Sequence, residues 1–197
     1  NKERIEIQIR TKEMEQVAEA VVPHQTVIQS ERLGTGHAVL QARSVLSDFK
    51  GDVVVLCADT PLITADTVRE LLAIRFNAAS CSIAVLGFQS ENPAGYGRLR
   101  CGADGGLEEI IEDLEATESE RQIKLCNSGI MAFDGGWLFQ FLDKVGKNNS
   151  KGEYYLTDVI NILLSSNEPV FIEKTININE VTGINTLEQL KEANNAS

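Results

Sequence analysis

Val53-Val54-Val55-Leu56-Cys57 is an unbroken apolar run, mostly β-branched, that stops at Ala58-Asp59-Thr60-Pro61. A strand with one face in water alternates apolar and polar residues, whereas a run without alternation needs cover on both faces. The expected setting is a central parallel strand between two helical layers, which limits the chain to an α/β architecture.

The flanking segments supply such layers. Arg4 to Arg10 alternates strictly and predicts a strand, after which Thr11 is expected to cap a helix carrying Met14, Val17, Ala18 and Val21 on one face. Pro23 ends that helix, Thr26-Val27-Ile28-Gln29 reads as the next strand, and Ala38 to Leu46 as the next helix. A helix starting at Thr64-Ala65-Asp66 and running through Leu72, then a strand from Cys81 to Gly87, extend the β/α series. The first 90 residues therefore read as a doubly wound sheet, in which ligands bind at the carboxyl ends of the strands, where Asp59 falls.

Beyond about residue 92 the texture changes. Tyr96-Gly97-Arg98-Leu99-Arg100 and Leu107 to Glu112 are joined by Gly102-Ala103-Asp104-Gly105-Gly106, a hairpin signature. Asn127 to Phe133 predicts a buried strand, Trp137 to Val145 and Leu156 to Leu164 two helices, Val170-Phe171-Ile172 a strand and Thr186 to Glu192 a closing helix. No internal repeat or low-complexity linker interrupts this order.

With 197 residues, 43% of them hydrophobic, the chain can bury the core of one domain. Its net charge of −11, from 29 acids against 18 bases, argues against nucleic acid as a partner, and it obliges any polyphosphate ligand to bring Mg²⁺ or meet a local basic cluster. Apolar stretches of five or six residues are far short of a membrane span, and no signal peptide is expected. Cys57, Cys81, Cys101 and Cys126 lie 20 or more residues apart within strand-like runs and read as reduced core residues of a cytoplasmic protein. His24 and His37 are the only histidines, too few at this spacing for a zinc site.

Each candidate site residue has a plain alternative. Asp59 offers a hard carboxylate oxygen suited to Mg²⁺, or it caps the turn into Pro61. Asn185, behind Gly183, is a candidate second oxygen ligand, or an N-cap. Gly34-Thr35-Gly36 presents backbone N–H groups at a helix start, fit for a base or an anion, or it is an ordinary left-handed turn with a threonine cap. Gly97, Glu112 and Asn127 combine glycine-exposed backbone with the acid and amide groups that sugar hydroxyls require, or they form a hairpin rim. Lys151 to Asp158, with Tyr154 and Tyr155, is a sugar-facing loop or a capped helix with aromatic packing. The seven acids between Glu108 and Glu120 read as a solvated face.

Taken in order, Gln29, Leu33-Gly34-Thr35-Gly36-His37-Ala38, Asp59-Thr60-Pro61-Leu62, Gly95-Tyr96-Gly97-Arg98, Glu112, Asn127-Ser128-Gly129, Gly152 to Asp158 and Gly183-Ile184-Asn185 resemble one family over nearly the whole chain. It is the uridyltransferase domain of the bacterial bifunctional N-acetylglucosamine-1-phosphate uridyltransferase/glucosamine-1-phosphate acetyltransferases, the GlmU family. The resemblance implies a Rossmann-like nucleotide-diphospho-sugar transferase fold, with a mixed, mostly parallel sheet, helices on both faces and a small β-hairpin sugar-binding part. It also implies UMP transfer from UTP to N-acetylglucosamine 1-phosphate, giving UDP-N-acetylglucosamine and pyrophosphate for peptidoglycan and lipopolysaccharide precursors.

By the same resemblance Gln29, Gly34 and Thr35 hold uracil, and Gly97, Glu112 and Asn127 contact the amino sugar. Asp59 and Asn185 ligate Mg²⁺ and carry the catalytic assignment. Cys57-Ala58 stands where members often have an aromatic residue or Asn followed by Gly, with contacts expected through backbone. The family's opening strand and glycine-rich loop, of the form L-A-A-G-x-G-T-R-M, do not precede Asn1, and the acetyltransferase half, a left-handed β-helix through which a homotrimer is expected, does not follow Ser197. Residues 1–197 are accordingly expected to be an N-terminally incomplete uridyltransferase domain. The alternatives are a non-catalytic UDP-sugar-binding module and a sugar-1-phosphate nucleotidyltransferase of other base or sugar specificity.

Overall fold

The structure, a computed structural model, describes residues 7–11, 25–77, 83–166, 168–175, 177–184 and 191. Strands β1 (Ile7–Thr11) and β2 (Gln25–Gln29) pair in parallel, as a β-α-β opening requires. Thr11 is the last residue of β1, and the expected helix through Met14 and Val21 lies outside the described residues. The helix expected over Ala38 to Leu46 forms as two short pieces, α1 (Thr35–Leu40) and α2 (Arg43–Leu46).

A six-stranded sheet holds the remaining described strands: β3 (Asp52–Val55), β4 (Ile83–Gln89), β5 (Arg98–Cys101), β6 (Leu107–Ile111), β7 (Leu125–Asp134) and β8 (Val170–Thr175). Its order is β6-β5-β7-β4-β8, with β3 on β7. The mixed α/β class is as expected, but the proportion of pairings differs. Among the described ladders β7 runs antiparallel to β3, β4 and β5, the hairpin pair β5·β6 is antiparallel, and only β1·β2 and β4·β8 are parallel. Burial on both faces makes a strand apolar whichever way its neighbour runs, so the Val53 to Cys57 run carried no information on direction.

Among the described residues that run is also not the middle of the sheet. β3 is half-buried and among the described residues pairs only with β7, while β4 and β7 hold the centre. In both, side-chain parity sorts residues onto two faces. Ile83, Val85, Leu125, Met131 and Phe133 join one core with Leu138, Phe141 and Leu142 of α4 (Leu138–Leu142) and with Val159, Ile160 and Leu163 of α5 (Asp158–Ser165). Ala84, Leu86, Phe88, Cys126, Ile130 and Ala132 join the other with Leu71 of α3 (Ala65–Asn77) and Val181. Helices thus cover both faces, as the sequence required.

One irregularity lies beside the candidate site residue Asn127. The β4·β7 register slips between Val85↔Met131 and Gly87↔Asn127, so Ser128-Gly129-Ile130 stands opposite Leu86 alone. Gly129 takes φ 81°, which favours glycine, and Ser128 Oγ fills the gap in the ladder by donating to Leu86 O at 2.7 Å and accepting from Ile130 N at 3.1 Å. The bulge re-aims Asn127, the residue just before it.

The hairpin forms as predicted, closed by Gly102 N to Gly106 O at 2.9 Å. The closing helix expected from Thr186 lies, apart from Lys191, outside the described residues. Among the described residues no helix is long and apolar enough to cross a membrane.

Candidate active site

The glycine-rich loop and the tyrosine loop are built as one unit. Tyr154 N donates to Leu33 O and Gly36 N to Tyr154 O, each at 2.8 Å, and Leu156 N donates to Thr35 Oγ1 at 2.9 Å. Gly34 has φ 105°, and a Cβ there would stand 2.5 Å from Tyr154 O, so the close approach excludes any other residue. Thr35 is not a cap: Gly34 occupies the N-cap of α1, and the Thr35 hydroxyl ties down the distant loop instead. Gln29, at the end of β2, is buried and donates from Nε2 to Gly34 O at 3.1 Å.

From that unit the contacts continue along a path. Thr157, the N-cap of α5, makes no cap bond and donates its hydroxyl to Glu112 Oε1 at 2.7 Å. The antiparallel register Arg98↔Ile111 brings Gly97 opposite Glu112, and Asn127 N donates to Gly97 O at 2.8 Å. Asn127 Oδ1 accepts from Gly129 N at 3.0 Å, leaving its side-chain NH₂ without a partner among the described residues. A Cβ on Gly129 would meet Cys57 Sγ at 2.9 Å, which closes the path to the strand end carrying Asp59. Gly97 has room: an added Cβ would make only ordinary contacts, the nearest at 3.5 Å, so packing alone does not demand glycine there.

The charge along this path is negative. Burial and the neighbouring Glu112 carboxylate raise the pKa of Asp158, and burial with the charges of Glu112, Glu153, Glu115 and Asp158 raises that of the Tyr155 phenol. Burial, and then the Asp59 charge, push the Cys57 thiol up to about 11. Cys57 O is occupied by the turn it starts, accepting from Thr60 N at 3.3 Å and Thr60 Oγ1 at 2.9 Å, while Ala58 is exposed.

Asp59 sits in that turn. Its carbonyl accepts from Ile184 N at 2.7 Å, and its exposed carboxylate makes no hydrogen bond or ion pair among the described residues. An unpaired carboxylate at a strand end fits Mg²⁺, which takes one or two protein oxygens and completes its shell with water or phosphate. The Ile184 contact fastens the segment leading to Asn185 onto the turn, and Asn185 itself lies outside the described residues. No cluster of three or more His, Cys, Asp or Glu able to hold a metal occurs among the described residues.

Two supporting groups had no sequence signal or an unused one. Buried Glu180 accepts from Thr64 N at 3.3 Å, Thr64 Oγ1 at 3.1 Å, Asn177 Nδ2 at 3.3 Å and Thr67 Oγ1, bracing the segment before Ile184 against the start of α3. Burial opposes its ionisation, but the bonds from Thr67, Thr64 and Asn177 together hold its pKa below the usual value. Thr64 and Thr67 lie more than 110 residues from Glu180 in sequence, and no local pattern reports them. Arg98, 1% exposed, donates to Tyr96 O and to Asp113 Oδ1 at 2.9 Å; a charge inside the Tyr96-Gly97-Arg98 motif was the visible hint. The acid run Glu108 to Glu120 is therefore more than a solvated face, since Glu112, Asp113, Glu115 and Glu120 all have defined partners.

Residues 1–177 match the family model described as Nucleotidyl transferase. The chain belongs to that family. Among the relatives of this nucleotidyl transferase, the bifunctional protein GlmU of Paramagnetospirillum magneticum is 51% identical over 148 residues, 75% of this chain and 33% of that protein. GlmU of Nitrobacter hamburgensis is 47% identical over 168 residues, 85% of this chain and 36% of that protein. GlmU of Bacillus licheniformis is 42% identical over 166 residues, covering 84% and 36%. The nucleotidyl transferase thus spans about a third of the length of the relatives it matches. A crystal structure of UDP-glucose pyrophosphorylase complexed with UDP-glucose superposes with a TM-score of 0.66 at 17% identity, covering 88% of this chain and 65% of that one, which establishes the shared fold.

Proposed function

We propose that residues 1–197 belong to a uridyltransferase domain that transfers UMP from UTP to N-acetylglucosamine 1-phosphate. A phosphate oxygen of the sugar phosphate bonds to the α-phosphorus while the bond from that phosphorus to the bridging oxygen breaks, and pyrophosphate leaves. The attacking oxygen is already anionic, so the reaction asks the protein for positioning and charge neutralisation rather than for a side-chain nucleophile.

The observation that carries this reading is the continuous path of contacts from Gln29 through Gly34, Thr35, Leu156, Thr157, Glu112, Gly97, Asn127, Gly129 and Cys57 to the turn of Asp59. In this proposal Gln29 and the Gly34-Thr35 backbone take the uracil, and Gly97, Glu112 and Asn127 take the sugar hydroxyls and acetamido group. Cys57-Ala58 lines the floor. Asp59 and Asn185 would hold Mg²⁺, which when bound neutralises phosphate charge as pyrophosphate departs. UTP and sugar phosphates place the work in the cytoplasm, and a homotrimer built by the rest of the full-length protein belongs to the same proposal.

The test is pyrophosphate release by the full-length protein. Turnover is expected only with UTP, N-acetylglucosamine 1-phosphate and Mg²⁺ together. Tight binding of UDP-N-acetylglucosamine without turnover would make the protein a binding module, and faster turnover with another base or sugar would reassign the substrate.

A further inference from the structure

We propose that His37 sets the base selectivity of this site by fixing the orientation of the Gln29 amide, so that its carbonyl oxygen faces the ligand as an acceptor for a pyrimidine imide N–H. The proposal rests on the assignment of Gln29 to the base.

Gln29 Nε2 lies 3.1 Å from Gly34 O. A carbonyl can only accept, so the nitrogen and not the oxygen of the amide must stand there. The second N–H of the same group reaches His37 Nδ1 at 3.0 Å, and that ring nitrogen must then be bare, which puts the imidazole proton on Nε2. On the other side of the ring Gln41 Nε2 approaches His37 Nε2 at 3.2 Å, and it is itself committed to His37 O at 2.9 Å.

A neutral imidazole therefore stands between two amide NH₂ groups with one acceptor to offer. Gln29 is buried while Gln41 is half-buried and within reach of water, and a buried donor is the costlier one to leave unmet. The bond to Gln29 prevails, and the Gln41 approach is a close contact without a hydrogen bond. The ring plane is supported by Tyr154, stacked at 6.3 Å and 25°.

With both N–H groups used, Gln29 Oε1 is the remaining polar atom of the side chain, and it has no partner among the described residues. A lone acceptor selects a donor. The imide N3–H of uracil donates, whereas N3 of cytosine is a bare acceptor whose lone pair would oppose Oε1. Removing the acceptor on His37 frees one Gln29 N–H to turn toward the ligand, where cytosine N3 can accept it.

The experiment measures kcat/KM for UTP and for CTP in the full-length protein at saturating N-acetylglucosamine 1-phosphate. His37→Phe keeps the ring and its stacking but carries no acceptor. It is expected to lower the UTP-to-CTP ratio about tenfold, mainly through a higher KM for UTP, and a change below about threefold overturns the role of His37 whatever happens to the rate. If the phenylalanine variant lacks a cooperative melting transition, His37→Leu is read in the same way. Gln29→Leu separates the two levels: an unchanged ratio there rejects the base assignment itself, and a collapsed ratio there with an intact ratio in His37→Phe rejects only the orienting role.

Discussion

At Asn127 the backbone N–H and the side-chain oxygen are both committed to the protein, and one NH₂ group remains for a ligand. At Asp59 the balance is reversed: the carbonyl is held by Ile184, and the whole carboxylate is left unmatched among the described residues. The first region is a wall, built on a bulged strand and a hairpin and buried from solvent. The second is a single charge on an exposed turn. A wall that recognises hydroxyl groups gains from rigidity, because each fixed group spares the ligand an ordering cost. A carboxylate meant for a hard cation has to avoid protein donors that would compete for its oxygens.

Substitutions should therefore separate stability from activity between the two regions. The largest effect is expected at the wall: Arg98→Met leaves Asp113 without its buried partner and should cost about 3 kcal/mol of unfolding free energy, the low end for such pairs because Asp113 keeps some contact with water. Denaturant unfolding reads this, and a loss below about 1 kcal/mol would show that the pair does not brace the hairpin. Next, Asp59→Asn should lower turnover at least ~100-fold, about 2.7 kcal/mol of activation free energy. Its unfolding midpoint should stay within about 0.5 kcal/mol of the parent, as expected for an exposed group with no partner; near-parental turnover would remove Asp59 from the metal site.

The smallest effect tests the link between the regions. Glu180→Gln should cost about 2 kcal/mol at neutral pH through the loss of charged hydrogen bonds. Because the folded-state pKa of Glu180 is lowered, its contribution is present above the ordinary value of 4.5 and fades as pH falls through the folded value. Stability curves of parent and variant should thus converge in acid, and parallel curves would contradict the depressed pKa.

The same comparison separates what was legible in the sequence from what was not. Period-two and continuous apolar patterns marked β4, β7 and the hairpin, because burial leaves its trace residue by residue. Gly34-Thr35-Gly36 and Gly97 were visible as candidates, because glycine is a costly residue to keep without reason. The antiparallel course of β7, the slip at Ser128-Gly129-Ile130 and the pairing of Glu180 with Thr64 and Thr67 depend on partners far away in the chain. The job of the Thr35 hydroxyl was misread for the same reason, since a local cap and a bond to a remote loop look identical in sequence.

The bond between Thr35 and Leu156 joins residues 121 positions apart. Closing a loop of that length gains nothing until the sheet between them has formed, so the joined glycine and tyrosine loops belong to the last events of folding. During synthesis the glycine-rich segment must wait for some 120 further residues to be made before it has anything to grip. Whatever these two loops hold, its affinity is therefore a report on completion: a misfolded copy would lack the joined loops.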